Sequence, residues 1–244
     1  MSARTILFVA WGDAYVDEVR RCILESRLPD YPIVLITDAT SAAEMLPPKV
    51  SVIRRTFASS GKDRKAEVFA DLPAGLETVL FLDADTRVIG DISLGFEKAE
   101  RHGIAMAPAP HYSLADFRSF GAVMAREGVP ARGQMIYNSG VIFFAAHEPS
   151  VRAVFRLAFE LEQKDPTGPY GDQPYVTLAM EIAGFNPYTL SPSFNHRAFG
   201  ELISGSIRIW HSYGAVPPGA ADLEPGYLHR YENGAFTKAL KVPL

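Results

Sequence analysis

Two aspartates separated by one small residue close an apolar run, Val79-Leu-Phe-Leu-Asp83-Ala-Asp85-Thr86. The run Thr78–Leu82 reads as a strand buried on both faces. If strand geometry persists beyond it, residues i and i+2 project to the same side, and the two carboxylates share one site. Like charges so placed repel and lose hydration, and a hard divalent cation with oxygen ligands is the natural compensation. A strand-ending turn with two solvated aspartates is the competing reading, and Asp-x-Asp alone does not decide between them.

The elements that must position this pair follow from periodicity. Ile6–Ala10, Pro32–Thr37, Val50–Ile53, Ile104–Ala107, Val141–Ala145 and Ile207–Trp210 read as strands. Tyr15–Glu25, Arg64–Leu72, Val151–Glu162 and Gln173–Ile182 carry apolar residues at helical spacing, and Leu114–Arg126 is a further helix candidate inside the irregular stretch Pro108–Gln134. This alternation predicts an α/β fold with helices flanking a mostly parallel sheet. In such sheets ligands bind outside the carboxyl ends of the strands, which is where the acidic pair falls. Pro217, Pro218, Gly219, Pro225 and Gly226 predict an irregular tail after Gly214.

Composition narrows the function. A chain of 244 residues, 48% hydrophobic and 21% charged, suits one α/β domain with a substantial core. The net charge of −4 supplies no basic footprint and argues against a nucleic-acid partner. A single cysteine rules out an internal disulfide framework and a cysteine zinc cluster; Cys22 sits in an apolar-periodic stretch and reads as core. The first apolar run is short and is followed by Gly12 and Asp13, so it reads as a strand rather than a signal peptide. No stretch approaches the ~18 apolar residues of a transmembrane segment. The expectation is a cytoplasmic protein, compatible with peripheral membrane contact.

Four further motifs lie at element boundaries. Gly12-Asp13-Ala14-Tyr15 follows the first strand, where a base or ribose would sit; a helix N-cap with Tyr15 in the core is the plainer reading. Tyr137-Asn138-Ser139-Gly140-Val141 precedes a buried strand and also reads as a turn. Gly171-Asp172-Gln173 opens a helix, and Trp210-His211-Ser212-Tyr213-Gly214 ends the last strand. In this order, with Lys65 in the helix before Asp83-Ala-Asp85, the set resembles the glycogenin-like family 8 retaining glycosyltransferases from about Ile6 to Gly214.

The resemblance implies a GT-A fold, a UDP-sugar donor, Mn²⁺ with Mg²⁺ as a substitute, and transfer with retention. It makes Asp83, Asp85 and His211 the metal ligands, a donor set that suits Mn²⁺ better than Ca²⁺. Ala10, Trp11, Asp13 and Tyr15 would hold the uracil and ribose, with Lys65, Ala84 and Gly214 also at the donor and Lys65 at its diphosphate. Asn138, Ser139, Asp172 and Gln173 would line the sugar and reaction face, with Asp172 as the leading catalytic carboxylate beside Asn138 and Gln173. The acceptor would be a glycan, a lipid-linked saccharide, a protein or a small molecule. The single domain would divide into a nucleotide-binding half, 1–107, a sugar and acceptor half, 108–214, and the tail, 215–244.

One departure stands out. The family's closing motif is His-x-x-Gly-x-x-Lys-Pro-Trp, and here Pro217 replaces the lysine and Gly219 the tryptophan. The diphosphate is therefore one cation short, and the expected compensation is a heavier reliance on Lys65, helped by Arg230, Lys238 or Lys241 in the tail. Three rivals remain. A nucleotidyltransferase would carry a Gly-rich phosphate loop, which Ala10-Trp11-Gly12-Asp13 is not. A haloacid-dehalogenase-like phosphatase would want Thr or Val where Arg87 stands. A non-catalytic nucleotide-sugar-binding relative fits the missing lysine but not the intact Asp83, Asp85 and His211.

Overall fold

A computed structural model describes residues 3–165, 168–199 and 202–242 of the chain. In its first part β1 (Arg4–Val9), β2 (Ile33–Thr37), β3 (Val50–Arg54) and β4 (Thr78–Leu82) alternate with α1 (Asp13–Glu25) and α2 (Asp63–Ala70). A short β5 (Thr86–Val88) leads into α3 (Ser93–His102), β6 (Ile104–Ser113), α4 (Gly121–Arg126), β7 (Met135–Ala145), α5 (Pro149–Gln163) and α6 (Asp172–Ala183). The chain ends in β8 (Tyr188–Thr189), β9 (Leu202–Ser204), β10 (Ile209–His211), β11 (Tyr227–Glu232) and β12 (Ala235–Lys241).

Seven strands form one sheet in the order β3-β2-β1-β4-β7-β6-β8, and only β7 runs against the others. The chain winds outward from β1 to β3, then returns to place β4 on the other side of β1. That reversal opens a crevice at the carboxyl ends of β1 and β4. β4 shows why the centre of the sheet is apolar throughout: Val79 and Phe81 enter the core under α2, α5 and α6, while Leu80 and Leu82 enter the core under α1 and α3. Among the described residues no helix is long and apolar enough to cross a membrane.

Three expectations change. β6 and β7 extend well beyond the strands read from the sequence. Past Met106, β6 has no strand partner on its outer side among the described residues, so Pro108 and Pro110 are tolerated there without breaking a ladder. The helix expected over Leu114–Arg126 is confined to α4, because Arg118 and Ser119 take left-handed φ values of 48° and 65° just before it. The tail is not irregular throughout. β11 and β12 form a hairpin that pairs with β9, turning through Asn233 and Gly234 at φ 52° and 84°. This small lobe has its own core of Ile203, Ile207, Trp210 and Leu223, backed by Tyr231 and Phe236. The tail's prolines and glycines punctuate turns rather than prevent structure.

β10 ties the lobe to β5, just past the end of β4, in a separate two-stranded sheet. It pairs antiparallel with β5, setting His211 opposite Thr86. Side chains alternate along a strand, so Trp210 enters the lobe core while His211 faces the turn after β4.

Candidate functional site

The crevice at the ends of β1 and β4 is a cleft of about 560 Å³, within the range of small-molecule sites. Its floor is the acidic turn. β4 stops at Leu82, but the Asp83 amide still donates to the Gly140 carbonyl of β7 at 2.8 Å. The Thr86 amide and hydroxyl both donate to the Asp83 carbonyl, at 3.2 and 2.7 Å, closing a tight turn. The two carboxylates thus converge through this turn, not through continued strand alternation as the sequence led us to expect. Behind it, buried Arg87 donates to the Ala84 carbonyl and pairs with Glu18 and Glu25 at 2.8 and 2.6 Å.

His211 completes the cluster. Its Nε2 lies 3.3 Å from Asp85 Oδ1 and 4.0 Å from Asp83 Oδ2, and one ligand atom from each of the three residues falls within 4.8 Å of the others. Asp85 and His211 are only 12% and 2% exposed at the side chain, so the solvated-turn reading does not hold for them. Burial works against the Asp85 carboxylate, but the His211 ring and the Arg197 guanidinium outweigh it and hold its pKa below the ordinary aspartate value.

Hydrogen bonds running back to the main chain set the histidine tautomer. The Gly140 amide can only donate, and it meets Asn138 Oδ1 at 2.9 Å. Asn195 Nδ2 donates to the same oxygen at 3.0 Å, which turns Asn195 Oδ1 toward His211 Nδ1 at 2.6 Å. His211 Nδ1 therefore carries a proton, which in the neutral ring leaves Nε2 with the lone pair. In that form His211 Nε2 and Asp85 Oδ1 are two acceptors 3.3 Å apart, a pair that a cation satisfies.

Gly140 leaves room for two of the ligands, the His211 ring and the Asp83 carboxylate, to approach each other. A Cβ at this position would lie 2.2 Å from His211 Cε1 and 2.7 Å from Asp83 Oδ2, although the backbone there is one any residue adopts. The described residues thus fit a divalent metal: two carboxylates, an imidazole with its lone pair inward, and a cradle kept clear of side chain. We expect Gly140→Ala to lower Mn²⁺ affinity by about 10–100-fold, the size seen when groups behind metal ligands are altered. Titration followed by the Mn²⁺ paramagnetic resonance signal measures it. Wild-type affinity in a folded variant would remove His211 from the ligand set.

The far wall is built around Lys65. Its ammonium lies 3.1 Å from both Asp83 Oδ1 and Asp172 Oδ2 and donates to the Ser139 carbonyl at 2.9 Å. Burial disfavours the charge, but Asp172 and Asp83 raise the Lys65 pKa above the ordinary lysine value. In this structure the Lys65 ammonium is engaged inside the protein, by Asp83, Ser139 and the charge of Asp172. Asp172 opens α6 after Gly171, whose φ of 69° allows the sharp entry.

Behind Asp172, both oxygens of buried Glu162 lack a hydrogen-bond partner among the described residues. Burial first, then repulsion from Asp172 and Asp63, pushes its pKa up to about 8, with Lys65 acting the other way. Glu162 is therefore protonated in the folded protein at neutral pH and ionised when unfolded above about 4.5. Folding takes up a proton between these values, so this residue's contribution to stability falls as pH rises from about 4.5 to about 8. In Glu162→Gln that slope disappears. The variant's melting temperature should gain on wild type across this window and then level off, and a pH-independent difference would show that Glu162 is ionised in the fold.

Of the residues expected at the donor, Ala10, Trp11, Tyr15, Lys65, Ala84, Asn138 and Ser139 line the cleft, together with Asp172 and Gln173. Asp13 and Gly214 do not. The Asp13 carboxylate accepts from the Ala42 amide at 2.8 Å and braces the loop after β2. The tail cations also lie outside: Arg230 pairs with Glu232, Lys238 pairs with Glu224, and Lys241 stands opposite Tyr227 at the end of the hairpin. Missed by sequence reasoning were Arg87, Asn195 and Arg197, whose partners are distant in the chain. Arg118 was also missed; it lines the cleft in a left-handed conformation that the sequence does not signal.

Neither a protein-family model nor a curated protein sequence matches the chain. Solved structures do. Mouse xyloside xylosyltransferase 1 in its apo form superposes with a TM-score of 0.59 at 15% identity, over 88% of this chain and 100% of that one. The apo bifunctional glycosyltransferase WbbM gives 0.58 at 14% identity, over 88% of this chain and 46% of that one, so the chain spans a little under half of WbbM. At these identities the likeness is one of fold. The chain has the GT-A-like architecture of these glycosyltransferases, a mostly parallel seven-stranded sheet flanked by helices.

Proposed function

We propose that the chain is a metal-dependent glycosyltransferase of the glycogenin-like family 8 type, moving a sugar from a UDP-sugar to an acceptor with retention of configuration. The observation that carries this reading is the convergence of Asp83, Asp85 and His211 around the space kept open by Gly140, at the switch-point cleft of a GT-A-like fold. These three residues would hold Mn²⁺, or Mg²⁺ as a substitute. When bound, the cation supplies Lewis-acid stabilisation of the charge that develops on the leaving diphosphate.

The protein's own groups do the rest. Trp11 and Tyr15, with ring centroids 6.4 Å apart on the β1 side, take the uracil and ribose. Asn195 and Asn138 hold the His211 tautomer. With its Oδ1 already engaged, Asn138 has its amide N–H groups to offer a sugar hydroxyl, as Ser139 has its hydroxyl. Lys65 holds Asp83 and Asp172 in place through its ion pairs. Asp172 and Gln173, in the first turn of α6, face the sugar, where the Asp172 carboxylate stabilises positive charge at the anomeric carbon or orients the acceptor. The departing phosphate can accept the acceptor's proton, so the reaction asks no general base of the chain.

The test is incubation with a panel of α-linked UDP-sugars and Mn²⁺, following UDP release and the anomer of the first product by proton NMR. Mn²⁺-dependent release with an α product is expected. A β product overturns retention, binding without release favours the non-catalytic relative, and neither binding nor release across the panel rejects the reading.

A further inference from the structure

One cation at the site is not accounted for by the motifs or by the roles above. Arg197 lies between the 3₁₀ turn Pro192–Phe194 and β9, lines the cleft, and places Nη1 3.1 Å from His211 Nε2. Its guanidinium carbon sits 5.1 Å from the centre of the exposed Phe199 ring, at the cleft mouth. Its Nε is buried with no hydrogen-bond partner among the described residues. Of the other cleft cations, Lys65 is engaged by Asp83 and Asp172, Arg118 donates to the Pro169 carbonyl, and Lys62 lines the cleft beside Gly171; among the described residues only Arg197 sets a side-chain cation against His211.

A neutral imidazole has one lone pair to offer, and a guanidinium has only donors. Arg197 and a divalent metal therefore compete for His211 Nε2, and a cation that enters must turn Arg197 away. A planar guanidinium released beside a metal-bound diphosphate has a matching partner in the phosphate oxygens. The position where the family's closing motif would place a lysine is Pro217, and the tail cations do not reach the cleft.

We propose that Arg197 is a diphosphate-binding residue held in reserve on the metal centre. In the ligand-free protein it stands in for the cation at His211 and Asp85, and in the loaded protein it grips the diphosphate. This rests on the glycosyltransferase reading. It makes two demands of opposite sign. Arg197 weakens metal binding to the nucleotide-free protein, because a cation must displace it. It strengthens nucleotide binding once metal is present.

The experiment compares wild type with Arg197→Ala and Arg197→Lys in two titrations: Mn²⁺ alone, read by its paramagnetic resonance signal, and UDP at saturating Mn²⁺, read by calorimetry. In Arg197→Ala the affinity for Mn²⁺ alone should rise by about 3–10-fold, and UDP affinity should fall by at least about tenfold. Arg197→Lys should lie between wild type and alanine for UDP. A merely structural role would weaken both ligands together, and that outcome overturns the proposal, as does UDP binding equal to wild type. If wild type itself binds no UDP with Mn²⁺, the functional reading falls as well, so the two failures are distinguishable.

Discussion

Asp85→Asn should eliminate Mn²⁺-dependent UDP binding and lower turnover by at least about 10³-fold, equivalent to about 4 kcal/mol, in a protein that still folds. The substitution preserves shape and removes one charge. Asp85 Oδ1 faces His211 Nε2 across 3.3 Å, and without the carboxylate charge the pair no longer attracts a cation strongly. The turn itself is held by the main chain of Asp83, by Thr86 and by Arg87, none of which needs the Asp85 carboxylate. Asp83→Asn is a different experiment, because it also releases Lys65 from an ion pair. Calorimetry with Mn²⁺ and with chelator, beside circular dichroism, separates loss of metal from loss of fold. Metal-dependent binding at wild-type strength in Asp85→Asn would sink the assignment.

Lys65→Ala should lower kcat by about 10²–10³-fold, roughly 2.7–4 kcal/mol. The expected cause is loss of alignment of the carboxylates. Lys65 is buried between Asp83 and Asp172, and its removal leaves Asp172 beside Glu162 with no neutralising charge. Breaking a buried pair by deleting one partner costs roughly 3–5 kcal/mol of stability, so the single variant should also melt early. Adding Asp172→Asn removes the stranded charge. The double variant should recover much of the melting temperature while staying inactive. If Lys65→Ala folds and loses less than about tenfold in kcat, about 1.4 kcal/mol, the alignment role is wrong.

The sequence revealed what depends on local pattern and hid what depends on distant contact. β4 was readable to its last residue because five consecutive buried positions leave no room for another period. The acidic pair was readable as chemistry, but its convergence depends on a turn fastened to Gly140, a contact that crosses from β4 to β7. Asn195 and Arg197 carry no local signature, since their importance lies in touching His211 from another loop. The hairpin of β11 and β12 was different. Asn233-Gly234 between two short strands is a strong turn signal, and the reading of the tail from its prolines and glycines left it unused. α3 was missed although Gly103 ends it and Phe96 and Ala99 lie on its buried face.

Because Trp210 packs in the C-terminal lobe and His211 points into the cleft, one dipeptide belongs to two structures at once. If metal binds at His211, metal occupancy and lobe integrity are linked quantities, each favouring the other by the same free energy. A local opening of the lobe that disturbs β10 would discharge the cation even with the large sheet intact. A substitution in the lobe core, far from any substrate, could then register as an apparent defect in metal affinity.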